Sequence, residues 1–154
     1  MLHEHRKIDL AQAGLAAQVL ELQRKAYLVE AERIGDDRIP PLHESLEELQ
    51  ECGETFLGAF VGETLAGFVS WRRDGDTLDL HRLAVNPAFA RRGIGRALVR
   101  AVQASERAPR VIVQTGAANE PAKALYRSEG FVAVGDVEVL PGLWVTRFEK
   151  SQGR

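Results

Sequence analysis

The segment from Leu83 to Leu98 reads LAVNPAFARRGIGRAL, and it decides how the chain is interpreted. Its apolar start predicts a strand, the stretch with proline and two glycines predicts a loop, and the residues after the loop predict a helix start. Gly93 and Gly95 permit close backbone approach, and the unpaired amides of a helix start attract anions. Positive charge is added by three arginines: Arg91, Arg92 and Arg96. The segment predicts a phosphate cradle, although a solvated loop before an ordinary helix has the same composition.

The residues after this loop complete a strand, helix and strand unit. Apolar side chains recur at the helical spacing i, i+3, i+4, i+7, i+8, at Ile94, Ala97, Leu98, Ala101 and Val102. The wholly apolar run 111–113 then predicts a buried strand parallel to the first. Ligands of such units bind beyond the carboxyl ends of the strands, where the glycine loop lies. A dinucleotide-binding fold is excluded by spacing, because Leu98 stands where its motif needs a third glycine.

The strand that leads into the loop has a break in its apolar pattern. Leu78 and Leu80 alternate on one face, and Leu83 and Val85 do the same, but the step from Leu80 to Leu83 is odd. One extra residue near positions 81–82, a β-bulge, keeps both pairs on the same side. The alternative is that Leu83 faces a second packed layer.

The N-terminal half predicts a mixed series of elements. A strand ends at Ile8, and a capping box at Asp9 and Gln12 opens a helix that runs to about Ala31. A loop over 33–42 and a short helix near 45–51 follow. Strands over 56–61 and 65–71 are joined by a turn at 62–64, and a third strand begins at Thr77.

Composition limits the classes of function. A chain of 154 residues predicts one domain over 1–154, and a net charge of −2 argues against nucleic-acid binding. No apolar run is long enough to span a membrane, and residues 1–5 lack the apolar core of a secretory signal. The lone Cys52 excludes an internal disulfide, is interpreted as a packing residue, and is typical of a cytoplasmic protein. His3 and His5 flank Glu4 without further ligands, so no metal site is predicted.

Charge is unevenly distributed along the chain. Residues 30–54 are strongly acidic, whereas residues 72–110 are basic. This division suits a phosphorylated cofactor on the basic part and a cationic substrate on the acidic part. The alternative is that residues 44–51 form the solvated face of a helix.

A second informative stretch runs from Asn119 to Phe131. Asn119 suits a helix N-cap, Pro121 a first turn and Gly130 the position after a helix end. Combined with the Leu83-x-Val85-x-Pro87 and Arg92-Gly93-x-Gly95-x-x-Leu98 patterns, the stretch Asn119-x-x-Ala122-x-x-Leu125-Tyr126-x-x-x-Gly130-Phe131 resembles the GNAT superfamily of acetyl-CoA-dependent N-acetyltransferases. The resemblance implies a mixed α/β fold: a central, mostly antiparallel twisted sheet with a parallel βαβ unit at the cofactor site and helices on both faces.

The same resemblance implies a role for each matching position. The backbone of Leu83, Ala84 and Val85 would pair with the pantetheine arm of acetyl-CoA, and Asn119 would contact the cofactor near that arm. The pyrophosphate would lie on a longer segment: Arg91, Arg92, Gly93, Ile94, Gly95, Arg96 and Ala97. Ala90 stands where the family usually has Gln or Arg, so the backbone amides and Arg91 or Arg92 are expected to make this contact.

The resemblance further implies direct attack of an amine on the thioester, with Tyr126 as the general acid and no acyl-enzyme. A phenol with a pKa of about 10 keeps its proton at neutral pH and can donate it to the departing thiolate. The candidate general bases are Asp79 and His81 on the bulged strand, with Glu30 or Glu32 reaching in from the first helix. The acceptor would be a small metabolite or a peptide amine, and a homodimer is possible in the family. The alternative is a catalytically silent module that binds acyl-CoA as a sensor or partner subunit.

Overall fold

The structure, a computed structural model, describes residues 3–152. The strands are β1 (Glu4–Ile8), β2 (Thr55–Val61), β3 (Thr64–Asp74), β4 (Thr77–Val85), β5 (Arg110–Gly116), β6 (Val132–Leu140) and β7 (Leu143–Ser151). The helices are α1 (Ala13–Ile34), α2 (Pro40–His43), α3 (Leu46–Gln50), α4 (Ile94–Glu106) and α5 (Glu120–Ser128), with one 3-10 turn at Pro87–Phe89.

The strands form one seven-stranded sheet in the order β1-β2-β3-β4-β5-β7-β6. The pairing of β4 with β5 is parallel, and the other five neighbouring pairs are antiparallel. A hydrophobic cluster containing Leu98 and Val102 of α4 covers one face of the sheet, and a second containing Val19 and Leu20 of α1 covers the other. The predicted fold class is therefore confirmed.

The bulge in β4 is confirmed. Ser70 of β3 pairs with Arg82, and the next residue, Trp71, pairs with Leu80, so His81 is the extra residue. Leu83 and Val85 consequently pack against the same cluster as Leu80. The side chain of Arg82 turns to the α1 side, where it is buried.

Two expectations about the N-terminal half are wrong. Asp9 and Gln12 do not form a capping box, because the Asp9 carboxylate accepts a hydrogen bond from the Ala11 amide and Gln12 is an N-cap without a side-chain bond. The predicted loop over 33–42 is shorter, because α1 continues to Ile34 and α2 begins at Pro40. Proline favours the first turn of a helix, where no amide hydrogen is needed.

The other expected elements are present. Ser45 and Glu48 form a capping box that opens α3, and the hairpin of β2 and β3 turns through Gly62 and Glu63. Cys52 is half-buried against the α1-side cluster, where burial raises the pKa of its thiol. Met1 and Leu2 of the N-terminal segment lie outside the described residues.

No helix within residues 3–152 is long and apolar enough to cross a membrane. In the same range no three His, Cys, Asp or Glu side chains are grouped so as to hold a metal ion.

Candidate active site

A cleft opens where the two parallel strands separate. β4 pairs with β5 only from Thr77 to Leu80, after which β5 continues beside β7 as far as Gly116. The cleft has a volume of about 850 Å³ and is lined by residues of α1, β4, the glycine loop, α5 and β7. It lies beyond the carboxyl end of the parallel pair, as the βαβ pattern predicts.

Most of the predicted site residues line this cleft, which brings them together from four elements. They are His81, Leu83, Ala84, Val85, Arg91, Gly93, Ile94, Gly95, Arg96, Asn119 and Tyr126. Three predicted residues, Asp79, Arg92 and Ala97, do not line it.

The last residues of β4 present to the cleft an edge that no other described strand covers, and the Leu83 backbone there is hydrogen-bonded to the Tyr27 side chain. From Arg82 to Val85 the strand pairs with β3 on one side and, among the described strands, with none on the other. Backbone amides and carbonyls on an open edge can pair with an extended ligand. This edge begins directly after the bulge at His81.

The glycine loop forms the anion-binding end of the cleft. Arg91 and Gly93 both have left-handed backbone conformations, with φ of 64° and 75°, and Gly93 is the N-cap of α4. The first turn of α4 contains no acidic residue. A Cβ added at Gly93 would have no atom within 4 Å, so the space above this backbone is open. The loop therefore offers the free amides and the open space that a pyrophosphate requires.

The arginines of the loop differ in their surroundings. Arg96 lies 3.2 Å from the Glu129 carboxylate and donates to Ser128 Oγ at 2.9 Å. The Arg92 guanidinium lies over the Phe89 ring, 5.3 Å from its centroid. Arg91 is exposed and lines the cleft.

Asn119 connects α5 to α1 across the cleft. Its Oδ1 accepts from the Ala122 amide at 3.4 Å, which makes it the predicted N-cap of α5. Its Nδ2 donates to Glu30 Oε1 at 2.9 Å. Asn119 is only 4% exposed, so this bridge is held in a largely dry environment.

Tyr126 is more deeply buried than a tyrosine at the rim of a core. It is 4% exposed, and its ring lies 5.7 Å from the rings of Phe131 and Phe148, measured between centroids. Burial raises the pKa of the Tyr126 hydroxyl well above its usual value, and the charge of Glu30 adds to the effect. The phenol therefore stays protonated at neutral pH and is a proton donor there.

The two predicted bases on β4 have different positions. His81 lines the cleft, whereas Asp79 lies beside His81 but off the cleft wall. Both ring nitrogens of His81 lie near carboxylates: Nε2 is 3.3 Å from Asp79 Oδ2, and Nδ1 is 3.7 Å from Glu54 Oε2. Of the two acidic residues expected to reach in from α1, Glu30 lines the cleft and Glu32 does not.

Comparison with known proteins decides the family. Residues 16–131 match the model of the Acetyltransferase (GNAT) family. The chain belongs to this family. It is 37% identical to the N-alpha-acetyltransferase RimI of Mycobacterium tuberculosis over 119 residues, which cover 75% of this chain and 75% of that protein. It is 36% identical to the UPF0157 protein YqkA of Bacillus subtilis over 138 residues, which cover 89% of this chain but 40% of YqkA, so the chain spans less than half of that relative.

Solved structures show the same GNAT fold. The ribosomal-protein-S18-alanine N-acetyltransferase of Escherichia coli superposes with a TM-score of 0.75 at 17% identity, covering 97% of this chain and 94% of that one. The PaiA N-acetyltransferase of Thermoplasma acidophilum, solved in complex with coenzyme A, gives 0.71 at 20% identity, covering 99% of this chain and all of that one.

One part of this GNAT site was not predicted from the sequence. Arg82, next to the bulge, is 7% exposed and donates hydrogen bonds to Glu44, Glu54 and Gln23. Burial opposes the charge on Arg82, but the hydrogen bonds to Glu44 and Glu54 outweigh it and raise the arginine's pKa. The only available signal was a lone arginine between apolar strand positions, and its partners lie 28 to 59 residues away along the chain.

A second unpredicted feature is Tyr27, a buried tyrosine of α1 that also lines the cleft. Burial raises the pKa of its hydroxyl, and the charge of Glu30 adds to the increase. Glu30 therefore acts electrostatically on both tyrosines of the cleft. No motif in the sequence marked Tyr27 as a site residue.

Proposed function

We propose that this chain is an acetyl-CoA-dependent N-acetyltransferase that acts on a primary amine. The observation that carries the proposal is the convergence on one cleft of a free β4 edge, an anion-binding helix start and the buried Tyr126 hydroxyl. The family supports the acetyl donor. The names of RimI and of the S18-alanine enzyme support an amine of a peptide or protein as acceptor, with a small metabolite amine as the other class.

The cofactor-binding residues follow from the geometry of the cleft. We assign the pyrophosphate to the amides from Gly93 to Arg96 and to the Arg91 side chain, because that end has open space and a positive helix terminus. The predicted contact from Ala97 is not included, because its amide donates to the Gly93 carbonyl within the helix. The pantetheine arm would pair as an extended strand with the free edge from Leu83 to Val85. Asn119 lies farther along the same cleft and would contact this arm beside Tyr126.

The reaction needs no covalent intermediate on the protein. Acetyl-CoA supplies the activated thioester, and the neutral amine attacks its carbonyl carbon, so that a C–N bond forms and the C–S bond breaks. Tyr126 gives its proton to the departing thiolate and regains one from the acylated nitrogen. Cys52, the one cysteine of the chain, does not line the cleft, which agrees with direct transfer.

An acetyl-transfer assay separates this proposal from a silent acyl-CoA-binding module. The assay measures release of free thiol from acetyl-CoA with a peptide beginning in alanine, a lysine-containing peptide and small alkyl amines. We expect amine-dependent release with at least one of these acceptors. Saturable binding of acetyl-CoA without amine-dependent release would favour the silent module instead. Cytoplasmic location and homodimerisation stay predictions from the sequence.

A further inference from the structure

Glu30 is a half-buried carboxylate of the cleft that forms no ion pair with the described residues. Its Oε1 accepts from Asn119, while its Oε2 accepts no hydrogen bond from residues 3–152. No Lys, Arg or His nitrogen in that range lies within 4 Å of the carboxylate. A buried carboxylate without a partner is costly, and a bound cation or a proton removes that cost.

The surroundings of Glu30 show where such a cation would lie. Glu30 lines the same cleft as the proposed general acid Tyr126, and its charge acts on the hydroxyls of both Tyr27 and Tyr126. Apolar side chains also line the cleft, among them Ile34, Ile39, Leu143 and Val145. A group that combines one positive charge with an apolar carrier fits a cleft with this lining.

We infer that Glu30 binds the acceptor as an ammonium ion and accepts its proton, so that it acts as the general base of the proposed acetyl transfer. The inference rests on the proposed function. The ammonium gives one proton to the Glu30 carboxylate, and the resulting neutral amine attacks the thioester. The nitrogen then loses a second proton, which replaces the one that Tyr126 gives to the thiolate. The proton on Glu30 leaves to water, so each turnover releases one proton and one thiol.

Glu30 fits this role better than His81. Both ring nitrogens of His81 lie beside the carboxylates of Asp79 and Glu54, whereas Glu30 Oε2 is free of protein donors. Burial also raises the pKa of Glu30, and the Asn119 hydrogen bond and the Arg33 charge oppose that increase only in part. A carboxylate with a raised pKa is a stronger base toward an ammonium than an exposed one.

The substitution Glu30→Gln removes the charge and keeps an oxygen to accept the Asn119 hydrogen bond. Glu32→Gln is the matched control, because Glu32 is an exposed carboxylate on the same helix that does not line the cleft. The probe is n-butylammonium, titrated into protein loaded with coenzyme A, with n-butanol as the uncharged comparison. We expect E30Q to weaken n-butylammonium binding at least tenfold, E32Q to change it less than twofold, and n-butanol binding to be the same in all three proteins.

The pH dependence of acetyl transfer to n-butylamine is the second measurement. We expect E30Q to lower kcat/KM about 100-fold at pH 7, within the usual range for a general base. The loss should shrink near pH 10, where about a quarter of an alkyl amine is already neutral. The other ionisable groups that line the cleft are Tyr27, Arg33, His81, Arg82, Arg91, Arg96 and Tyr126. Of these, the charge of Arg33 acts to lower the pKa of Glu30. Burial raises the pKa of both tyrosines, so they keep their protons over this range.

The outcomes distinguish the two proposals. Failure of the wild-type protein to bind acetyl-CoA would overturn the proposed function itself. Normal acetyl-CoA binding, combined with equal n-butylammonium affinity in wild type and E30Q, would overturn only the role of Glu30. A pH-independent loss of activity in E30Q would likewise contradict a role as base.

Discussion

Tyr126 illustrates how burial sets the chemistry of a single side chain. The sequence placed Tyr126 on the helix that Asn119 caps, but it did not indicate that three aromatic rings would pack together there. Packing against Phe131 and Phe148 removes water from the phenol and raises its pKa. The same burial that stabilises the core therefore keeps the hydroxyl protonated and makes it a weaker acid than an exposed phenol.

The substitution Tyr126→Phe removes the hydroxyl and keeps the ring packing. We expect kcat for acetyl transfer to fall about 100-fold, the usual size of a general-acid contribution, while the affinity for coenzyme A changes less than twofold. Steady-state kinetics and calorimetry measure the two quantities. Tyr27→Phe is the comparison, because it removes the other buried hydroxyl of the cleft, and its effect on kcat should be smaller. An unchanged kcat in Y126F would mean that another group protonates the thiolate.

The charge of Glu30 should also affect the free energy of unfolding. Because burial raises its pKa in the folded state, its favourable contribution exists below the unfolded pKa and is lost as pH rises through the folded pKa. At pH 7 the buried charge therefore destabilises the fold, and we expect E30Q to increase the free energy of unfolding by roughly 1 kcal/mol, a typical size for one stabilising substitution. Urea denaturation at pH 7 and pH 4 should show this gain at the higher pH and little at the lower. A lower free energy of unfolding for E30Q than for wild type at pH 7 would contradict this prediction.

At the scale of elements, Arg82 connects the bulged strand β4 to three other segments of the fold. Its guanidinium reaches Gln23 on α1, Glu44 between α2 and α3, and Glu54 before β2. Ser70 of β3 donates to Glu54 at 2.6 Å and completes the cluster. Burial alone would raise the pKa of Glu54, but the hydrogen bonds from Arg82 and Ser70 lower it instead. The bulge is thus held in place by long-range contacts.

Replacing Arg82 by methionine should be strongly destabilising. The change leaves two buried carboxylates without their cation, and we expect a loss of about 3–5 kcal/mol in the free energy of unfolding at pH 7. Arg82→Lys keeps one charge but cannot donate to both carboxylates as a fork, so its loss should be smaller. Chemical denaturation of wild type, R82M and R82K measures the three free energies of unfolding. A loss below about 1 kcal/mol in R82M would mean that the cluster contributes little.

The loop arginines should differ in cofactor affinity. Arg91 faces the cleft, whereas Arg96 is held by Glu129 and Ser128. We expect R91A to weaken coenzyme A binding several-fold at low salt, with a smaller effect at high salt, because exposed charges are screened. R96A should have a weaker effect on affinity. Calorimetric titrations with coenzyme A at two ionic strengths compare the affinities of R91A and R96A. A larger loss of affinity in R96A than in R91A would place the pyrophosphate nearer to α5.

Prediction succeeded where a signal was local. The odd step from Leu80 to Leu83 located the bulge, and Asn119 marked the start of α5, because strand alternation and helix capping depend on neighbouring residues. Prediction failed at Asp9, where the side chain bonds to the Ala11 amide instead of capping a helix. It also missed the pairing of Arg96 with Glu129, because long-range ion pairs leave no periodic trace in the sequence.

At the scale of the whole molecule, two hydrophobic clusters on opposite faces hold the sheet together while β4 and β5 separate at one end. The separation costs strand hydrogen bonds, and an extended ligand can replace them at the free β4 edge. The second wall of the cleft comes from α1 and from β7, which stays paired with β5. The fold therefore places an uncovered strand edge, a glycine-rich helix start and the buried Tyr126 side chain in one cleft.

The central claim is that this cleft binds acetyl-CoA, and calorimetric titration of the purified chain tests it most directly. We expect saturable binding at one site per chain, with no binding of NAD under the same conditions, because the loop lacks the third glycine of a dinucleotide motif. Absence of acetyl-CoA binding, or equal binding of NAD, would contradict the account.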